Sequence, residues 1–298
     1  MMSLTSKSLP FIKMHGLGND FIFIKQTDFR TSNFAGFIKK ICNRKIGIGC
    51  DQLIVYHFDD KKKLNMKIYN SDGSKAQACG NATRCLVRLA VDKYGLQEVF
   101  ISVEDRFLHG TVETEPDQIS SQFSSSFPTF QKSINVNMGL VSFVHNWMPD
   151  KKRLSTALRA YNFHNNQSLL VDVANPHLVI FLEPNQSPLS TEQCKQLQDH
   201  KISSFVSLFK NSINISFVRV VNSALIELTV FERGVGFTLA CGSAAVASFS
   251  AAYFYKLVGN SAEVKFEIGS LVMNRCPQTG GVVMSGPAEY VFEGSYYF

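Results

Sequence analysis

The sequence is poor in the signals that would send it to a membrane, a nucleic acid or a dinucleotide. No early stretch satisfies a secretory leader, because Lys7, Pro10 and Lys13 interrupt the only apolar segment near the start. Basic runs stop at three residues, Lys61-Lys62-Lys63 and Lys151-Lys152-Arg153, with no aromatic interleaving. With a net charge of only +6 they read as solvated loops, so no nucleic-acid partner is expected. Gly16-Leu17-Gly18 and Gly47-Ile48-Gly49 lack the third glycine of a dinucleotide fingerprint. His15, His57, His109, His145, His164 and His200 show no spacing that forms a metal set with the cysteines, and no metal is expected. The uncharged stretch from Phe237 to Tyr255 is rich in Ala, Ser, Gly and Thr, which suits a tightly packed core helix rather than a membrane span. The cysteines number seven, an odd count over a long chain, so they read as reduced cytoplasmic thiols and not as a disulfide framework.

What is present points to two globular domains. The chain has 298 residues, of which 45% are hydrophobic, enough for each half to bury a core. Short β-rich runs recur at Phe21–Ile24, Leu53–Tyr56, Met66–Tyr69, Val99–Val103, Leu169–Val173, Leu178–Leu182, Ile215–Val221, Leu225–Val230 and Val264–Ile268. Several alternate in polarity, as antiparallel strands with one wet face do. Ser190-Thr191-Glu192-Gln193 has the pattern of a capping box opening a short helix to Asp199. The Ser/Gln/Pro-rich region from Glu115 to Ser133 is expected at or just before a domain boundary.

The most informative pattern is a near-repeat. The chain reads CGNATRCLVRLAVDKYG from Cys79 and CGSAAVASFSAAYFYKLVG from Cys241. Each copy begins Cys-Gly-polar, continues as a mainly apolar helix and reaches a glycine, Gly95 or Gly259, suited to a C′ position. The cysteines lie 162 residues apart, about one domain length. Two similar halves, each with strands wrapped around one central helix, is the simplest reading.

Chemistry gives that repeat a purpose. A helix N-terminus carries partial positive charge and unsatisfied N–H donors. A cysteine there is biased toward thiolate, and the next amides can hold a carboxylate. Two such termini suit inversion at a carbon beside a carboxylate. One thiolate takes the α-proton, the other thiol returns a proton to the opposite face, and no cofactor is required. Composition alone would instead make both cysteines ordinary core residues.

The flanking motifs decide between these. They are KMHGLGNDF at Lys13–Phe21, GIGCDQL at Gly47–Leu53, YNSDGSKAQACGN from Tyr69, ANPH at Ala174–His177, Asn214 in SINISFV, FERGVGFTLACGS from Phe231, and GPAEYVFEG from Gly286. In this order the set closely resembles the diaminopimelate epimerase family over essentially the whole chain. The resemblance implies cofactor-independent interconversion of LL- and meso-diaminopimelate, on the way to lysine and peptidoglycan. It implies an α+β fold of two pseudo-symmetric domains, each a curled, mostly antiparallel sheet around a central helix, with the site between them. Residues 1–136 joined by 286–298 would form one half and 137–285 the other, in a cytoplasmic homodimer.

Site roles follow from the same resemblance. Cys79 and Cys241 match the acid/base pair, while Gly80, Asn81, Gly242 and Ser243 match positions that hold the reacting carboxylate. Asn19, Gln52, Asn70, Asn175, Asn214, Glu232 and Arg233 match substrate contacts. His177 and Glu232 match residues that tune the cysteines. Four positions depart from the family pattern. Ala82, Ala174 and Ala244 stand where Gly is common, and Phe237 stands where an acid is common. Ala174 would matter if its backbone needs positive φ. Two alternatives remain, a proline or hydroxyproline racemase-like enzyme and a ligand-binding protein that has lost turnover.

Overall fold

In a computed structural model of the chain, residues 8–28, 33–59, 63–76, 79–113, 133–160, 167–183, 186, 193–194, 209, 213–233 and 235–297 are described. Ser190, Thr191 and Glu192 of the expected capping box and most of the expected boundary segment lie outside those residues. The chain divides into two compact units, Met1–Val136 with Gly286–Phe298, and Asn137–Ser285.

The first unit contains β1 (Ser8–Gly16), β2 (Asn19–Lys25), α1 (Phe34–Cys42), β3 (Gln52–Phe58), β4 (Leu64–Asn70), β5 (Lys75–Ala76), α2 (Gly80–Tyr94), β6 (Glu98–Val103) and β7 (Arg106–Val112). A strand at the end of the chain, Glu289–Tyr297, returns to pair antiparallel with β1. Strand β8 (Ile134–Gly139) leads to the second unit. That unit contains α3 (Lys151–Ala160), β9 (Ser168–Asp172), β10 (Pro176–Phe181), β11 (Asn214–Asn222), β12 (Leu225–Glu232), β13 (Gly236–Thr238), α4 (Gly242–Phe254), β14 (Ser261–Phe266), β15 (Gly269–Arg275) and β16 (Val282–Gly286).

The repeat anticipated from two cysteine motifs extends through the pairing of the strands. In the first unit, β1 and β2 are antiparallel, β2 and β3 parallel, β3 and β4 antiparallel. Strand β4 then takes the short β5 antiparallel and β6 parallel, and β6 pairs antiparallel with β7. The second unit repeats every step: β9–β10 antiparallel, β10–β11 parallel, β11–β12 antiparallel, β12–β13 antiparallel and short, β12–β14 parallel, β14–β15 antiparallel. In both, the cysteine helix is the crossover between the parallel strands, and it follows the short hairpin strand.

Each crossover helix is the core of its unit. Helix α2 contacts β1, β6 and β7, and α4 contacts β9, β10, β11, β12, β14 and β15. The residues from Ala244 to Ala252 are all buried, which is why this segment carries no charge. Its small side chains let strands approach on every side, and no helix among the described residues is long and apolar enough to cross a membrane.

The helix ends differ from one another. Helix α2 stops at Gly95, whose φ of 66° is the left-handed C′ conformation, with its N–H on the Val91 carbonyl. Helix α4 ends earlier than expected, and Gly259 is not its C′ residue. Lys256 adopts φ 60° and donates to Tyr253 O, while Leu257 N–H reaches Ala252 O, which together make a Schellman closure. Gly259 N–H instead bonds Ser223 O beyond the helix. The strand expected to end at Ile268 also stops early. Phe266 pairs with Gly269, so Glu267 and Ile268 become a two-residue hairpin loop.

Candidate active site

The functional candidates sit at matching positions in the two units. Cys241 follows Cys79 by 162 residues, and the same offset relates Gln52 to Asn214, Asn70 to Glu232, and Asn81 to Ser243. Strand register reproduces the match: Phe21 faces Gln52 in one parallel pair and His177 faces Asn214 in the other. Asn19 and Asn175 each lie two residues before that point, at the hairpin preceding the strand.

In the first unit, Cys79 is the N-cap of α2 and makes no side-chain capping bond. Asn, Asp or Ser at such a position normally accepts from the first-turn amides. Here the sulfur does not cap those amides and is directed elsewhere. Cys79 Sγ donates to Asn19 Oδ1 at 3.6 Å, and Asn81 Nδ2 donates to the same oxygen at 3.4 Å. The helix is anchored by Thr83, whose N–H and Oγ1 both bond the Cys79 carbonyl. Asn19 reaches the site because Gly16-Leu17-Gly18 is a hairpin turn. Leu17 and Gly18 have φ 52° and 76°, the positive pair that a type I′ turn requires.

Gln52 and Asn70 form a separate pair in this unit, bonded to each other at 2.9 Å, with Asn70 continuing to Ser74 Oγ. Gln52 Oε1 is buried with no hydrogen-bond partner among the described residues. An acceptor in that condition calls for a donor such as an ammonium group.

Beside this half-site lies an ionic cluster that the sequence did not announce. Asp20 bonds both Lys13 and Arg44, and Arg44 also bonds Asp51 Oδ1 at 2.9 Å. Burial would raise the Asp20 carboxyl, but Arg44 and Lys13 overcome it and hold the group well below the usual carboxylate range. Cys42 and Cys50 also meet here, Sγ to Sγ at 3.4 Å, both buried.

The second unit gathers its candidates more closely. Cys241 is the N-cap of α4, again with no side-chain capping bond, and lies 3.4 Å from Ser243 Oγ. Ser243 Oγ is 3.1 Å from His177 Nε2, and Asn175 Nδ2 donates to Ser243 Oγ at 3.3 Å. His177 Nε2 also meets Asn175 Oδ1 at 3.1 Å and Asn214 Nδ2 at 3.4 Å. Arg233 N–H fixes Asn214 by donating to its Oδ1. Burial first, and then the Arg233 charge, bring the His177 pKa down to about 3, so at neutral pH the ring is uncharged.

Glu232 is the local acid. Its Oε1 accepts from Thr238 Oγ1 at 2.5 Å. Burial first, then the Glu232 carboxylate, push the Cys241 thiol well above its ordinary value, against smaller opposing effects of Ser243 and the Ala244 N–H.

The four departures have distinct outcomes. Ala82 and Ala244 are fully buried in first helical turns, where alanine is a good helix former. Ala174 does hold positive φ, 61°, at the turn presenting Asn175, so here the missing glycine carries a backbone cost. Phe237 turns into the core, packing edge-on to Phe231 at 5.3 Å and stacked with Phe217 at 6.3 Å. Thr238, its neighbour, supplies the bond to Glu232. Among the described residues, no group of three or more His, Cys, Asp or Glu side chains could hold a metal ion.

A family model for diaminopimelate epimerase matches residues 11–144 and 169–291. A diaminopimelate epimerase of Rickettsia bellii is 38% identical over 295 residues, covering 98% of this chain and 99% of its own. Another, from Rickettsia prowazekii, is 36% identical over 291 residues, covering 97% of each chain. Solved structures of far lower identity share the fold. A phenazine biosynthesis protein of the PhzF family from Bacillus anthracis superposes with a TM-score of 0.67 at 12% identity, over 98% of this chain and 100% of its own. A hydroxyproline epimerase from Agrobacterium vitis, with bound trans-4-hydroxy-L-proline, gives 0.65 at 8% identity, over 98% and 93%.

Proposed function

The chain belongs to the diaminopimelate epimerase family, and from that premise we propose that it interconverts LL- and meso-diaminopimelate with Cys79 and Cys241 as the two proton-transfer groups. It is an isomerase, and its reaction serves lysine and peptidoglycan precursor synthesis. The observation that carries the reading is the place of the two cysteines at the starts of the central helices. Each cysteine occupies an N-cap position, and neither uses its side chain to cap the helix.

The chemistry follows from that placement. In one direction a thiolate at one cysteine takes the Cα proton, and the thiol of the other protonates the opposite face. In the reverse direction the roles exchange. First-turn amides of Gly80, Asn81, Gly242 and Ser243 hold the reacting carboxylate and stabilise the charge that grows on it. Glu232 keeps Cys241 protonated at rest. His177, uncharged and bonded to Ser243, fixes the first turn of its helix rather than supplying a cation. Gln52, Asn19 and Asn70 on one side, and Asn175, Asn214, Glu232 and Arg233 on the other, bind the ammonium and carboxylate groups of the substrate. Asparagine suits a zwitterion because it both donates and accepts, and Arg233 suits a carboxylate.

Assembly as a cytoplasmic homodimer is part of the proposal, and sedimentation at micromolar concentration would check the dimer. The reaction is tested by NMR in heavy water under reducing conditions. Diaminopimelate should lose its Cα–H signal and invert, whereas proline and hydroxyproline should do neither. Exchange into proline alone would overturn the assignment.

A further inference from the structure

We propose that Asp51 and Arg84 are positioning residues that clamp the amides of Asn19 and Asn81 in one orientation, so that only the Asn19 carbonyl oxygen faces Cys79 and the substrate. The inference deepens the reading of the Cys79 half-site and rests on it.

The clamp is a continuous chain of side-chain hydrogen bonds with a charge at each end. Arg84 Nη2 donates to Asn81 Oδ1 at 2.9 Å, and Asn81 Nδ2 donates to Asn19 Oδ1 at 3.4 Å. Asn19 Nδ2 then donates to Asp51 Oδ2 at 2.8 Å. The far carboxylate oxygen is held by Arg44 at 2.9 Å, and Asp20 N–H donates to the near one at 3.1 Å.

An isolated asparagine amide can turn over with little change in shape. Neither of these can. Turning Asn81 would set its NH2 against a guanidinium, two donors facing one another. Turning Asn19 would set its carbonyl against the Asp51 carboxylate and its NH2 against that of Asn81. A donor-only group at one end and an acceptor-only group at the other therefore dictate the same polarity along the row.

Burial makes the Arg84 end hard to displace. Arg84 is fully buried in α2, with Nε on the Pro287 carbonyl at 3.2 Å, and Asn81 is nearly as buried. Burial lowers the guanidinium to about 10, which still leaves it charged at neutral pH.

The result bears on specificity. With its NH2 committed to Asp51, Asn19 offers the site a carbonyl oxygen and nothing else. That oxygen accepts from the Cys79 thiol at 3.6 Å. A substrate group that meets it must be a donor, which fits an ammonium and excludes a carboxylate.

Asp51 lies toward the surface, so Asp51→Asn tests the clamp without emptying the core. The new amide would place an NH2 against either Arg44 or the Asn19 and Asp20 donors, releasing Asn19. For diaminopimelate inversion, kcat/KM should fall about 10- to 100-fold in Asp51→Asn. In an Asn19→Ala background the same substitution should cost less than about twofold, because Asp51 acts through Asn19. Arg44→Ala, which removes the ion pair but leaves Asp51 Oδ2 on Asn19, should stay within about threefold of wild type. Additive losses in the double variant would overturn the clamp.

A second readout does not depend on turnover. In Cys241→Ser protein, the rate of Cys79 alkylation by iodoacetamide is followed against pH by peptide mass spectrometry. Asp51→Asn should move the midpoint to lower pH, since an acceptor that stabilises the thiol is lost. An unmoved midpoint would overturn the clamp even where activity persists. Wild-type protein that never exchanges the Cα–H of diaminopimelate would overturn the function instead.

Discussion

The two cysteines stand at equivalent places in repeated topologies, yet their surroundings differ in sign. Cys79 meets the Asn19 amide, which Asn81 joins, backed by the buried Arg84 and closed at the far end by Asp51. Around Cys241 lie a hydroxyl, a neutral histidine and a carboxylate, with Glu232 raising the thiol. A repeated scaffold can therefore carry two unlike cysteine sites. Duplicated strands set the equivalence, and a few side chains at the strand ends break it. That division fits the proposed reaction, whose two directions use both cysteines in exchanged roles.

The comparison breaks most severely if either cysteine is removed. Cys79→Ser and Cys241→Ser should each lower inversion by at least about 10³-fold, measured by coupled assay or NMR, since serine is a far weaker acid. Equal survival of activity in one variant would mean that only the other half-site performs chemistry.

Glu232→Gln sharpens the contrast. Removing the carboxylate takes away an influence that raises Cys241, so the limb of the pH–rate profile governed by that thiol should move to lower pH. A profile with unmoved limbs would show that Glu232 only binds substrate.

The buried histidine gives a stability test confined to the second unit. Its folded pKa lies below the unfolded value, so the unfolded chain takes up a proton first as pH falls. Stability should be unaffected above about pH 6.5 and decline below it, by about 2 kcal/mol at pH 5. His177→Gln should remove that slope in urea unfolding. An unchanged slope would place the proton uptake elsewhere.

The smallest effect concerns the turn at Ala174. Glycine at φ 61° relieves a left-handed cost of about 1 kcal/mol, so Ala174→Gly should raise stability by at most that amount and leave kcat within about twofold. A loss of stability would mean that glycine's extra freedom in the unfolded chain outweighs the relief.

Much of this was legible before any coordinates. Cys79 and Cys241 announced themselves because each heads an apolar helix, and the glycine after α2 fell where its φ requires one. Strand cores such as Leu53–Tyr56 and Leu225–Val230 were plain from composition, since buried strands leave a dense apolar signature. Ends were less legible. Lys256 taking the left-handed position contradicts local preference, and only the closure against Ala252 and Tyr253 makes it possible. Asp51 escaped because its partner Asn19 is 32 residues away, and the burial of Arg84 because the Pro287 carbonyl that it meets is 203 residues away. Arg84 did leave one trace, a charged residue three positions after Asn81 and therefore on the same helix face. The Cys42–Cys50 contact left none, as both residues read as ordinary small hydrophobes.

The central claim is that two different groups serve opposite faces of one carbon. Its most direct test starts with LL-diaminopimelate in heavy water and stops at a few per cent conversion. If Cys79 and Cys241 act as proposed, the meso product carries deuterium at the inverted carbon while the remaining LL substrate stays protiated. Protium in the product, or deuterium in the LL pool before inversion, would mean that a single base handles both faces, contradicting the account.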